Sequence, residues 1–390
     1  MTALRSIEER VLPTAVTSPP SALVDVVDQT IAPSAAEVDR TGAFPRADID
    51  ALAGAGVLGL LSAAEVGGAG GSLADAAVTL ERIARADASV AMVVLMHYAA
   101  VSVVESHGPD DVRRAVAAGE HLSTLAFSER GSRSHFWAPV STATAADGRV
   151  RLDAAKSWVT SAGEADSYVW SSRPVTAEGP MTLWLVPAGT PGVGVVGEFD
   201  GFGLRGNASR PMAADGALLD TSARLGDDGA GRDIALGTAM PTFLVGNAAV
   251  SLGLMEALVE EAAAHLTSTR LEHFDQSLAE QPTSRLAFAA LRTRVDLTRA
   301  FLSDTLAALG SGREDATLRV LQVKAVAAEA AAGVADGVMR LCGGAAFRKE
   351  LGIERRYRDA LAARVMAPTT EALHDFIGRA TLGLPLFGGA

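Results

Sequence analysis

The run SVAMVVLMHYAAVSVV, Ser89 to Val104, has no charged residue and no polar face. A helix with such a surface has to be covered on every side. The run is short for a membrane span and carries His97 and Tyr98, so a place inside a soluble protein suits it better. Its neighbours in the chain have matching texture. SALVDVVDQTIAPSAAEVDR sets Leu23, Val26, Val27 and Ile31 at helical spacing, and ADIDALAGAGVLGLL is a second amphipathic segment, ended by the Gly-rich EVGGAGGS. From Ser72 to Val104 the pattern predicts two more helices.

Near Leu122 the texture changes. Short β-rich runs (VRLDAAKSWVT, SYVWSS, MTLWLVP, VGVVGEF) alternate with Gly, Asp and Pro as far as about Arg232, which predicts an antiparallel β-domain. Beyond Asp233 the chain is helical again. Val320, Val323, Ala327, Ala331, Val334, Val338 and Leu341 recur every three or four residues, a long stripe for packing helix on helix. The expected fold is α+β and mostly α: an N-terminal α-helical domain over 1–121, a middle antiparallel β-domain over 122–232 and a C-terminal four-helix-bundle domain over 233–390.

Composition narrows the function. The net charge of −12 is spread without a basic block, which disfavours nucleic acid as a partner. Cys342 is the one cysteine, and no apolar segment of signal-peptide type opens the chain, so a reducing, cytoplasmic setting is expected and a membrane is not. The seven His are scattered without HxxxH or CxxC, so no metal is expected. No GxGxxG follows a strand, and the Ser of GNAAVSLG lies in a helical stretch without nucleophile-elbow spacing.

Taken singly, the remaining features are ordinary. Gly343-Gly344 reads as a helix end, His135 and Trp137 as loop residues, and Glu164 and Asp166 as a turn between strands. Taken in order, they carry a resemblance. EVDRTGAFPRADIDALAGAGVLGLL, GGAGG, LERIARADASVAMVVLMH, LAFSERG, KSWVTSAGEADSYVW, GFGLRGNASRP, LCGGAAF, YRDALAAR and PTTEALHDFIGRA together resemble the acyl-CoA dehydrogenase superfamily of flavoproteins, from about Leu23 to Phe387. The resemblance implies FAD as cofactor, in preference to FMN. It implies that Trp158 shields the flavin ring and Thr160 offers a hydroxyl near its reactive edge, with Phe127, Ser128 and Ser134 along the ring's polar edge. It further implies that Arg270, Phe274, Gly343 and Gly344 reach the FAD of a neighbouring subunit, and that Thr369 and Glu371 lie toward the adenosine. The protein is then a homodimer or homotetramer with FAD at the interface.

The chain also departs from the family. Where the family ends a motif in a catalytic Glu followed by Gly-Thr, this chain has Met366-Ala367-Pro368-Thr369. Alanine takes no proton. Some relatives carry the base on an earlier helix, and the matching position here is about Phe243, again without a carboxylate. Beside the flavin segment, Arg130, Arg133 and His135 replace the family's residues, and His135 is either loop drift or a proton donor at the flavin edge. The stretch Arg270 to Phe274 is one residue longer than the family's, Asp275 stands for a Gly, and Pro282 stands where the family has Gln. Arg340 offers a charge to the phosphates in compensation.

Three functions stay open. The first is oxidation of an acyl thioester, on coenzyme A or a carrier protein, with electrons passed to an electron-transfer flavoprotein. The second is a monooxygenase fed by a flavin reductase, which needs no α-carbon base. The third is a non-catalytic flavin- or thioester-binding protein.

Overall fold

The structure, a computed structural model, describes residues 20–132 and 135–387. Helix α1 (Ser21–Val26) runs through one π-helical turn (Val27–Ile31) into α2 (Ala32–Thr41). Leu23, Val27 and Ile31 are all buried along this path. After α3 (Arg46–Gly54), helix α4 (Leu73–Ala86) starts on a capping box in which Ser72 and Asp75 satisfy each other's backbone N–H.

Helix α5 (Ala88–His107) is the all-apolar run, and α6 (Asp110–Ala117) follows it. The polar members of α5 are matched inside the core. Tyr98 donates to the Val57 carbonyl at 2.8 Å, and His97 Nε2 lies 3.0 Å from the Leu58 carbonyl. Burial pulls the His97 pKa down to about 4, so the ring is neutral, and its Nδ1 accepts from the Ser123 N–H at 3.1 Å. That bond ties α5 to the first strand.

The strands are β1 (Ser123–Ala126), β2 (Thr142–Ala146), β3 (Arg149–Val159), β4 (Ser167–Ser172), β5 (Thr182–Pro187), β6 (Val193–Val195), β7 (Arg210–Asp220) and β8 (Arg224–Leu225). They form two sheets, ordered β1-β4-β5-β8 and β2-β3-β7-β6. The strand pairs of this domain are antiparallel apart from one: β1 runs parallel to β4, Ser123 opposite Ser167. The chain leaves β1 for the other sheet and re-enters beside it in the same direction, which a local turn signal does not reveal.

The last part holds α7 (Gly231–Gly237), α8 (Ala239–Ser268), a small hairpin of β9 (Arg270–Leu271) and β10 (Gln276–Ser277), α9 (Pro282–Ser311), α10 (Ala316–Cys342), α11 (Ile353–Ala360), α12 (Ala362–Val365) and α13 (Thr370–Thr381). The stripe on α10 is buried as expected, except Leu341, which is half-buried. Helix α8 packs on α9 and α10 and equally on α4 and α5, so the first and last helices share one core. Two helical stretches are long and apolar enough to cross a bilayer, but 83% and 100% of their apolar windows are buried inside the protein.

One junction joins all three parts of the chain. Arg358 on α11 donates to Asp39 on α2 at 2.9 and 2.6 Å and to the Phe202 carbonyl at 3.0 Å. Its neighbour Asp359 accepts from the Leu204 N–H at 2.6 Å, and burial pushes that carboxyl up to about 7.

Candidate functional site

The β-domain half of the site is built on an irregularity. Along β3 the inward positions are Val150, Leu152 and Lys156, and a register shift between Lys156 and Val159 then breaks the alternation. Trp158 falls in the break. It has φ 57°, a left-handed conformation that bulky residues rarely adopt, and it is 70% exposed, its ring edge-on to Phe199 at 6.4 Å. Ser161 is also left-handed, at φ 58°, and its buried hydroxyl has no partner. Between them, the Thr160 hydroxyl is buried 3.2 Å from that of Ser209.

A buried ion pair fixes this edge. Lys156 donates to Glu129 at 2.5 Å and to the Ser171 carbonyl and hydroxyl at 2.7 and 2.8 Å. Glu129 also accepts from the Ser141 N–H at 3.0 Å and from its hydroxyl. Burial pulls Lys156 down to about 8, opposed by Glu129. Burial pushes Glu129 up, but Lys156 and its hydrogen bonds outweigh this and hold it below the usual carboxylate range. Every charge in the pair is matched, which fastens Glu129 and Ser141 to β3 and β4. Ser128, half-buried next to Phe127, accepts from the Ser157 N–H at 3.0 Å through its carbonyl. Ser134 and Arg133 lie outside the described residues.

His135 is exposed. Its Nδ1 lies 2.9 Å from the Ser132 carbonyl, and its ring stands edge-on to Trp137 at 5.0 Å. Trp137 in turn packs on Phe376 of α13 at 5.1 Å and Phe387 at 5.4 Å, which brings the β-domain loop against the bundle.

The bundle half centres on a buried cation. Lys324 of α10 donates to the carbonyls of Ala363, Met366 and Pro368, at 2.8, 3.0 and 2.8 Å. It therefore grips the turn that carries Ala367, whose bond to Pro368 is cis. Burial pulls the Lys324 pKa down to about 7, with only the charge of Glu371 opposing. Its ammonium lies 6.0 Å from the ring centroid of Phe243 on α8, so the two positions where a catalytic carboxylate was sought adjoin one cation. Among the described residues no carboxylate hydrogen-bonds to Lys324; nearby, Glu329 pairs with Arg364 at 2.9 Å and Glu371 engages Thr369. One turn along α8, Asn247 donates to Met366 Sδ at 3.5 Å.

The remaining candidates are spread over two places. Thr369 caps α13, its hydroxyl accepting from the Ala372 N–H at 3.3 Å, and Glu371 is exposed on the first turn. Phe274 is 61% exposed at the tip of the β9–β10 hairpin, and Arg270 is paired with Asp275, which holds φ 50° where a Gly was expected. Arg340, exposed, pairs with Asp336 at 3.0 Å. Gly343 ends α10 at φ 58°, ψ −139°, a conformation for glycine alone, and a Cβ on Gly344 would meet nothing within 4 Å. Arg270, Phe274, Arg340, Gly343, Gly344 and Glu371 are exposed, and Thr369 is half-buried.

A flavin fits what is present. An exposed aromatic face held at a strained backbone, a buried hydroxyl without a partner and an open glycine approach are features a planar ring and a diphosphate would use. The sequence reading missed Glu129, Lys156, Lys324 and Asn247. The signal for the lysines was there: Lys156 has the parity of Val150 and Leu152, and Lys324 lies on the buried stripe between Val320 and Ala327.

Comparison with known proteins agrees along the chain. Residues 21–119, 124–217 and 229–382 match the N-terminal, middle and C-terminal domains of acyl-CoA dehydrogenase. The chain is 26% identical over 368 residues to the human mitochondrial short-chain specific acyl-CoA dehydrogenase, covering 89% of this chain and 85% of that protein. It is 25% identical over 370 residues to an acyl-CoA dehydrogenase of Bacillus subtilis, covering 92% and 96%. The solved butyryl-CoA dehydrogenase of Megasphaera elsdenii superposes with a TM-score of 0.87 at 21% identity, over 95% of this chain and 100% of that one.

Proposed function

Because the chain belongs to the acyl-CoA dehydrogenase family, a family of FAD-dependent oxidoreductases, we propose that it binds FAD between its β-domain and its bundle and oxidises an acyl thioester there. The observation that carries this reading is Trp158, a large aromatic residue kept exposed at positive φ by the break in β3. Strain of that kind persists where the surroundings impose it, and a flat ring stacked on the indole gives it a use.

Trp158 and Phe199 would keep water from the ring, and Phe127, Ser128, Ser134 and Thr160 would lie along its polar edge. Thr160 shares its proton with Ser209, so one hydroxyl of the pair can donate onward. FAD, when bound, supplies the acceptor for the two electrons removed from the acyl group. Arg270, Phe274, Arg340, Gly343 and Gly344 face outward and would serve the FAD of a second subunit, in a homodimer or homotetramer, with Thr369 and Glu371 toward the adenosine. Arg270 has to leave Asp275 to do so. An electron-transfer flavoprotein is the partner that fits.

Proton removal is the open step. Ala367 and Phe243 cannot accept a proton, and Lys324 gives all three ammonium protons to carbonyls. That one observation favours the second reading, a monooxygenase supplied with reduced flavin by a reductase, in which His135 would be the proton donor. The test is anaerobic addition of a panel of acyl-CoAs to the FAD-loaded protein, followed at the visible flavin band. Bleaching establishes thioester oxidation. Absence of bleaching with every member, together with oxygen consumption by the reduced protein that yields an oxygenated product, establishes the monooxygenase.

A further inference from the structure

Asn247 is 1% exposed, and its side-chain oxygen has no hydrogen-bond partner. Its nitrogen is spent on the sulfur of Met366, the residue before Ala367. A thioether sulfur accepts and does not donate, so the amide nitrogen belongs beside Met366 and the free end is the oxygen. On the other side of the same turn, Thr370 is 3% exposed and its hydroxyl is also unpartnered. Buried polar groups are almost always paired, so the Asn247 oxygen, next to the turn that carries Ala367, is open to a donor brought by a ligand. Lys324 does not supply it, because its protons go to carbonyls of the turn. Carboxylate chemistry does not either, because a bare acceptor repels it.

We propose that Asn247 is a specificity-determining residue whose side-chain oxygen accepts a hydrogen bond from the substrate, so that the acyl group carries a hydroxyl, amine or amide N–H near its thioester end. The inference rests on the reading of this site as one for acyl thioesters. A plain hydrocarbon chain would leave the oxygen unpaired, and sites built around a hydrogen bond discriminate against ligands that lack the group.

The test compares crotonyl-CoA with 4-hydroxycrotonyl-CoA, neither of which has the hydrogens to reduce a flavin, so that equilibrium binding is read from the shift of the visible flavin band. The FAD-loaded wild type is expected to prefer the hydroxylated ligand by about tenfold. In Asn247→Leu, of similar volume, the ratio should fall to about one while FAD content is kept, and Asn247→Ala carries the same test if the leucine variant does not fold. A wild type without preference, or a ratio unchanged in both variants, overturns the proposal and leaves a bound water as the partner of Asn247. If neither ligand binds, the thioester reading of the site falls, and this inference with it.

Discussion

Two lysines are buried in this protein, Lys156 in the β-domain and Lys324 in the bundle, and they are held in different ways. Lys156 meets a carboxylate, Glu129, and the charge is cancelled where it stands. Lys324 donates instead to the carbonyls of Ala363, Met366 and Pro368. Dipoles solvate a cation without cancelling it, so its proton stays conditional on pH. Burial pulls Lys156 to about 8 and Lys324 to about 7. One lysine is a strut for the loop beside Trp158. The other is a titratable clamp on the turn that carries Ala367.

Breaking the strut should have the largest effect. Lys156→Met leaves Glu129 charged and alone in the interior and should cost about 3–5 kcal/mol in urea unfolding, with most of it recovered when Glu129→Leu is added. A loss under about 1 kcal/mol would mean the pair does not hold the loop. Ala367→Glu sharpens the contrast from the other side, since it gives Lys324 a carboxylate neighbour. If the thioester reading holds, it should also speed anaerobic flavin reduction by acyl-CoA by about 100-fold, the size of a general-base contribution.

The clamp itself is read through pH. Its folded pKa of about 7 lies below the ordinary 10.5, so between those values the unfolded chain holds a proton that the folded chain has released. Stability from this group therefore rises with pH across that window, by up to about 1.4 kcal/mol per unit, and is flat below it. In urea denaturation series Lys324→Met should remove this group's share of the slope, all of it between about pH 7 and 8 and part of it above, where Lys156 also contributes, and Ala367→Glu should shrink it. The smallest effect belongs to Phe243→Leu, which takes an aromatic face from Lys324 and should cost about 1 kcal/mol in thermal unfolding.

The helices were legible because their periodicity is a local property: the unbroken run of α5 and the stripe on α10 both lie in the core. The parallel partner of β1 was not, because nothing in Ser123–Ala126 says which distant strand receives it. At the site, Trp158 and Ala367 are noticed by comparison with family motifs, whereas their supports are not. Lys156 and Lys324 look like surface residues until their parity is counted, and the partners of Lys324 are backbone carbonyls, which have no letter in a sequence. Arg270 was visible as a residue, but its engagement with Asp275 depends on a hairpin five residues across.

The grip of Arg358 on Asp39 spans 319 residues, and its bond to Phe202 spans 156. On a ribosome, α1 to α3 are made long before the guanidinium that fastens them exists. The first domain must wait, partly unfastened, until almost the whole chain has emerged, and its apolar α5 waits with it for α8. Newly made N-terminal fragments should thus be the form of this protein that most needs a chaperone.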